Sequence, residues 1–269
     1  MITMIIFSKD RACQLDLLLR SIKKQIQDYE NLDINVIYKA TTDYFDKGYS
    51  VVKDEHSEFS FHRETDNVKS DIMRILDDAG RLVCFLCDDN IFTRPIGSEE
   101  YARFEKFIVD NSALCFSMRL GKNITGHYEL GEIPQQPIVG GRFQWISGKG
   151  DWGYPGSVEG NLFRREEMVN ALNGIEFKHP CIIECVLNPM LVNTYRNKPY
   201  MHVFDFPRLM NVPDNRVNDA VINKAENTST EHLIKMNYEY INGKRLKYGY
   251  DGYVNKFCHE PVGFDWEAK

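Results

Sequence analysis

The sequence has no long apolar run. Its uninterrupted apolar stretches, such as Leu82–Cys87, fall far short of the ~20 residues that a membrane span needs. No G-x-G-x-x-G follows its first strand-like segment, which disfavours a dinucleotide Rossmann site, and the absence of G-x-x-x-x-G-K-[ST] excludes a P-loop. There is no nucleophile elbow to anchor a Ser-His-Asp triad. Basic charge is not in excess either. The balance is 33 Lys and Arg against 39 Asp and Glu, net charge −6, which predicts no appreciable affinity for unmodified duplex DNA at physiological salt. Seven cysteines, an odd number without regular spacing, suit a reducing cytosol. The opening MITMIIFSKDR has no basic n-region and no small-residue cleavage site, so it reads as a first strand, and a cytoplasmic location is expected.

What is present is an ordinary globular composition. The 269 residues are 43% hydrophobic and 27% charged, enough for one large α/β domain or two small ones. Met1–Ser8 reads as a strand, and Leu15, Leu18, Leu19, Ile22 and Ile26 mark one face of a helix. Ile34–Ala40 is a second strand. Residues 41–65 show no clear period and read as loop with a short strand near Phe59–His62. Val68, Ile72, Ile75 and Leu76 mark a helix ending near Gly80. Leu82–Cys87 is apolar throughout, as a strand buried on both faces of a parallel sheet should be. A helix over Ser98–Asp110 and a strand over Ala113–Met118 complete an alternation that implies right-handed βαβ units. Residues 121–160, rich in glycine, read as long loops around one strand at Arg142–Ile146. Helices return at Arg165–Asn173 and Cys181–Asn188, where Pro189 predicts a break or kink. Thr228 and Glu231 form a capping box opening a helix that stops at Gly243.

The sharpest chemical feature is FLCDDN, a buried strand ending in Asp88, Asp89 and Asn90. Ligands in open parallel sheets bind beyond the carboxyl ends of strands. Adjacent carboxylates there suit a hard divalent cation, Mn²⁺ or Mg²⁺, that shares phosphate oxygens and water, although Asp and Asn are also common at plain strand-to-turn transitions. Ser8 and Arg11, at the end of the first strand and the start of its helix, make a phosphate or nucleobase cradle, with an N-cap and a surface arginine as the plainer reading. Glu184 lies just outside the apolar arc of its helix. A carboxylate at that margin can face a cleft, where burial raises it toward a base's range. Asp151 and Glu159 are weaker candidates. Trp145, Trp152, Tyr154 and Tyr128 either stack on sugar rings or cover the core. Cys84 and Cys87, three apart in one strand, point to opposite faces, which opposes zinc or redox use. His179, Cys181 and Cys185 approximate a metal cluster that lacks an obvious fourth ligand.

These segments, in this order, resemble glycosyltransferases of the GT-A fold over residues 1–195. The resemblance implies an α/β, Rossmann-like domain with a central, mostly parallel sheet and an irregular C-terminal extension. Residues 1–120 would then be the donor-binding half, and 121–269 the acceptor half with that extension. IIFSKDR looks like the family's opening strand and nucleotide loop, which places Ser8 and Arg11 on the nucleotide. Asp43 matches its nucleoside-contacting carboxylate, and Lys69 its basic diphosphate contact. FLCDDN matches the metal-binding DxD motif, with Asn90 at the third position. Gly160-Asn161-Leu162-Phe163-Arg164-Arg165, followed by Glu166 and Ala171–Ile175, matches the stretch that closes over the donor sugar. Glu184-Cys185 falls where inverting members carry Glu-Asp, which makes Glu184 the base. In PRLMNVPDNRV a strand and turn would close over the donor, with His202 an extra metal ligand.

The implied activity is metal-dependent transfer from a nucleoside diphosphate sugar, a UDP-sugar first, to an acceptor hydroxyl. A glycan is the default acceptor; a protein side chain or a modified DNA base is the alternative. A nucleotidyltransferase would show a glycine-rich loop after the first strand, and SKDRACQ has no glycine. A glycoside hydrolase would pair carboxylates without a nucleotide. A non-catalytic carbohydrate-binding module rests on the loop aromatics alone.

Overall fold

In the computed structural model, residues 1–127, 130–214, 229–253, 256–259 and 263–269 are described. The elements run β1 (Ile2–Lys9), α1 (Ala12–Gln25), β2 (Asp33–Lys39), α2 (Asp43–Glu55), β3 (Ser60–Arg63), α3 (Val68–Asp77) and β4 (Leu82–Cys87). Then come β5 (Asn90–Phe92), α4 (Ser98–Val109), β6 (Ala113–Ser117), β7 (Gly126–His127), β8 (Gly131–Glu132) and β9 (Arg142–Gln144). The chain continues through β10 (Asn161–Arg164), α5 (Arg165–Asn173), α6 (Pro180–Thr194), β11 (Tyr200–Val203), β12 (Leu209–Asn211), α7 (Thr230–Ile241), β13 (Lys244–Leu246) and β14 (Trp266–Ala268).

Eight strands form one sheet in the order β3-β2-β1-β4-β10-β6-β11-β9. β1 to β4 are mutually parallel. β10 enters antiparallel between β4 and β6, so β6 keeps the common direction, and β11 follows it. β9 closes the edge antiparallel to β11. Both faces are covered. Side chains alternate along β1, sending Met4 and Ile6 into the core under α1, α2, α4 and α7. Ile5 and Phe7 go into the opposite core, under α3, α5 and α6. Burial on both faces is why β4 reads as an unbroken apolar run. Cys84 lies in the first core, and Cys87 packs against the second, as their spacing predicts.

Four local readings need correction. Residues 43–55 are a helix, not a loop; Thr42 caps it by accepting a hydrogen bond from Phe45 N, and Phe45, Tyr49 and Val52 are buried. α6 runs through Pro189 to Thr194 without ending. Proline removes the bond to the carbonyl of Cys185, but both residues are exposed, so water can take that acceptor. Among its described residues, the stretch 121–160 carries three short strands and two 3-10 turns rather than one strand. α7 is capped by Ser229, whose side chain accepts from His232 N; Thr228 lies outside the described residues. Among the described residues no helix is long and apolar enough to cross a membrane.

Candidate active site

The carboxyl ends of β1 and β4 lie side by side, with Phe7 opposite Cys87. Asp88 N donates to Phe7 O at 3.0 Å, which draws the turn after β4 over the end of β1. Arg11, at the start of α1, then meets both acids of that turn. One guanidinium nitrogen pairs with Asp88 Oδ1, and Nη1 donates to Asp89 Oδ2 at 2.9 Å. Ser8 shares a 2.7 Å hydrogen bond with the buried Tyr49 hydroxyl. Asp10 adopts a left-handed backbone at φ 57°. Its carboxylate accepts from Thr41 N at 2.7 Å and Thr41 Oγ1 at 2.8 Å, tying the β1 loop to the β2 loop. Neither Ser8 nor Asp10 caps α1.

Asp88 is fully buried. Neither of its oxygens has a well-formed hydrogen bond. Burial, opposed by Arg11 and reinforced by Asp89, pushes its carboxyl up to about 7. Asp89 is held by the C-terminal part of the chain: Asn211 Nδ2 donates to its Oδ1 at 2.6 Å, and Val212 N to its carbonyl at 2.8 Å. Asn90 faces inward. Its Oδ1 accepts from Cys87 N at 2.9 Å and closes the turn, which leaves the two aspartates as the acids presented at the strand end.

The segment that leads into β10, the neighbour of β4 in the sheet, supplies the next group. Gly160 has φ +83°, and a Cβ there would lie 2.2 Å from Leu209 Cδ2. Its N–H donates to Phe85 O at 2.8 Å, so the residue before it, Glu159, is set level with the β4 turn. Gly160 is thus a seat for Glu159. Gly160→Ala combines a left-handed backbone with overpacking and should cost about 2–4 kcal/mol; a denaturant midpoint unchanged from the parent would refute this. Glu159, Asp89 and Cys87 bring ligand atoms within 4.8 Å of one another. Burial, with Glu184 and Asp89 nearby, pushes the Glu159 carboxyl well above its ordinary range.

Glu184 extends from α6, whose buried face is Ile183, Leu187 and Leu191. Its Oε1 accepts from Val158 N at 2.7 Å, beside Glu159. Burial raises its carboxyl, with the Val158 N–H and Arg119 opposing. Arg119 and Asp151 form a buried ion pair at 2.5 Å. Burial acts to raise Asp151, but Arg119 overrides it and holds the carboxyl below its usual range. His259 Nε2 sits 3.3 Å from Glu159 Oε2 and 3.9 Å from Asp151 Oδ1. Burial keeps its imidazole below the usual range.

Other expected residues lie elsewhere. Asp43 is exposed in the first turn of α2. Lys69 Nζ is committed to Ile175 O and Glu176 Oε1, both at 2.8 Å. His202 does not join the acids: it bonds Asp110 at 2.9 Å between Phe107 and Phe116. Trp145 and Trp152 cover the core, their indoles donating to Lys198 O and Ile124 O. Tyr154 reaches Glu184 O at 3.4 Å. Tyr128 lies outside the described residues. Cys185 is exposed, and no metal-capable grouping among the described residues includes it or His179. A second such grouping, Asp16, Glu55 and His56, is internal to α1 and α2, where Arg20 already pairs with Asp16.

Arg119, His259, Asn211 and Asp10 were not legible as site residues. Asp10 carried a local signal as a polar residue at a strand end, and Asn211 lay in the segment PRLMNVPDNRV expected to close over the donor; Arg119 and His259 carried none.

No family model matches the chain. It is 24% identical over 263 residues to the bifunctional glycosyltransferase pgtA of Dictyostelium discoideum, 82% of this chain and 34% of that protein. It therefore spans about a third of the length of the curated relative it matches. In fold it superposes on Staphylococcus aureus TarS residues 1–349 solved with UDP, at TM-score 0.51 and 13% identity, over 76% of this chain and 57% of that one. The complex of the same protein with UDP-GlcNAc gives 0.50 at 13% identity, covering 76% and 56%. The similarity in sequence and in fold falls on glycosyltransferases, and the mixed α/β architecture is of the GT-A type.

Proposed function

We propose that this chain transfers a sugar from a nucleoside diphosphate sugar, a UDP-sugar first, to an acceptor hydroxyl with inversion at the anomeric carbon. The observation that carries the reading is the convergence of Asp88 and Asp89 with Glu159 and Glu184 at the carboxyl ends of the strands. Five carboxyl groups there, with Asp151, face the two guanidinium groups of Arg11 and Arg119. Asp88 is buried, and its Oδ2 is left without a hydrogen bond while Oδ1 meets Arg11, an arrangement that fits a divalent cation. Asp88 and Asp89 would hold Mn²⁺ or Mg²⁺, which neutralises charge on a departing diphosphate.

The chain's own groups supply the rest. Arg11 orients the two aspartates. Ser8 and the Asp10–Thr41 link fix the loops that border the nucleotide. Glu184, raised by burial and held by Val158 N–H, takes the proton from the acceptor hydroxyl as that oxygen attacks the anomeric carbon. As nucleotide contacts in this reading, Asp43 would reach in from the first turn of α2, and Lys69, on α3, would leave Ile175 O and Glu176 on binding. With both tryptophans in the core, the described loop residues do not favour a carbohydrate-binding module.

Thermal shift tests the reading. UDP should raise the melting temperature substantially only with a divalent cation such as Mn²⁺ or Mg²⁺ present, because a ligand that binds only the folded state stabilises it. Asp89→Asn should abolish the metal-dependent part of the shift. Equal stabilisation in EDTA, or none with metal, would refute the cation role.

A further inference from the structure

We infer that the cation site is a mixed sulfur–oxygen site spanning two strands, in which the Cys87 thiolate and the Glu159 carboxylate join Asp89 as ligands. The inference deepens the cation part of the reading above and rests on it. Cys87 is the last residue of β4, Asp89 lies in the turn beyond it, and Glu159 lies two residues before β10, some seventy residues later. Their ligand atoms nevertheless fall within 4.8 Å of one another. Chain proximity alone does not produce that arrangement. It depends on the Gly160 backbone, whose bond to Phe85 O sets Glu159 level with the turn.

A second, independent observation points to a ligand at this place. Asp88, beside the trio in sequence, is fully buried; its Oδ1 is shared with Arg11, and its Oδ2 has no hydrogen-bond partner. A buried carboxylate in that state gains from a nearby positive charge beyond the shared Arg11. The positions of the other ligands are fixed from outside the trio. Asn211 holds Asp89, and His259 stands against Glu159.

The chemistry of the donor set selects among metals. Magnesium favours oxygen and gains little from sulfur, whereas a thiolate favours ions toward the zinc end of the first-row series. Coordination removes the thiol proton to solvent, and the freed sulfur lone pair forms the bond to the metal. No electron is transferred. The order expected from this set is Zn²⁺ and Co²⁺ above Mn²⁺, with Mg²⁺ weakest.

Cobalt titration of the intact chain, with and without UDP, provides the test and needs no sugar donor. The expected result is a thiolate-to-cobalt charge-transfer band in the near ultraviolet, accompanied by proton release. Cys87→Ser and Cys87→Ala should both lose the band, while Cys185→Ser and Glu55→Gln keep it. Glu159→Gln should weaken cobalt binding by ~10-fold or more. Visible ligand-field bands without the charge-transfer band would overturn the proposal and leave a carboxylate-only cation site standing. A charge-transfer band that survives in both Cys87 variants would overturn it as well, and so would no cobalt binding in either buffer, which would also remove the cation reading.

Discussion

Glu184→Gln is expected to lower kcat by about 10²–10⁴-fold, a barrier increase of about 3–5 kcal/mol. The amide keeps the shape and can still meet Val158 N–H through its oxygen, so the loop at 156–159 should stay in place. What it loses is the ability to accept a proton. Donor affinity should barely move, because the proposed diphosphate site lies at the ends of β1 and β4, whereas Glu184 extends from α6. The pH dependence follows from the raised carboxyl. Glu184 must be ionised to act, so kcat should climb with pH through a range above the ordinary glutamate value of ~4.3, and the variant should flatten that climb. Asp151→Asn is the milder comparison. Glu159→Gln is not a neutral control, because Glu159 stands beside Asp89. Near-normal turnover in Glu184→Gln, or a product that keeps the donor's anomeric configuration, would assign the base elsewhere and favour a retaining transfer.

Replacing Arg119 by methionine should destabilise the fold by about 3–5 kcal/mol, because it leaves the buried carboxylate of Asp151 without its partner. For a chain of this size that corresponds to a drop in melting temperature of roughly 6–15 °C. The sign of the pH response is informative. In the parent, Asp151 is held below its usual range, so its contribution is present above the unfolded value of ~3.9 and lost as pH falls through the folded one. In the variant, burial becomes the dominant influence on Asp151, opposed by the weaker pull of His259 and His127, so its carboxyl is expected to rise and the penalty to grow as pH rises through that same value. The gap between parent and variant should therefore narrow in acid. Adding Asp151→Asn to Arg119→Met should recover part of the loss. A single-variant melting temperature within two degrees of the parent would contradict this account.

The alternation of strands and helices through residue 118 was readable because burial on both faces leaves unbroken apolar runs, as in β4, and because α1 and α3 carry clear helical periods. α2 was hidden by its own composition. Gly48 sits mid-helix where a Cβ would lie 2.2 Å from Asn237 Oδ1, so the close approach of α7 displaces a better helix former. β10 and β11 are four residues each, too short to show a period. At the site, Asp88, Asp89 and Arg11 stood out because strand ends have local signatures. Glu159 gained weight only once Gly160 was seen to bond Phe85. Arg119 and His259 lie 140 residues apart, and no spacing rule connects residues that meet only after the sheet has formed. Trp145 and Trp152 illustrate the converse: composition could not separate a sugar platform from a core plug, and their indole hydrogen bonds to backbone carbonyls did.

The insertion of β10 between β4 and β6 also bears on synthesis. A ribosome that has released residues 1–120 has delivered β1 to β4 and β6, yet the strand that joins the last two is still some forty residues away. Until Asn161–Arg164 arrives, β4 and β6 each present an unpaired apolar edge, and such edges invite pairing between chains. The donor-side half should therefore be a poor fragment. Expressed alone as residues 1–120 it should aggregate, and adding 121–269 in trans should restore solubility, as judged by sedimentation.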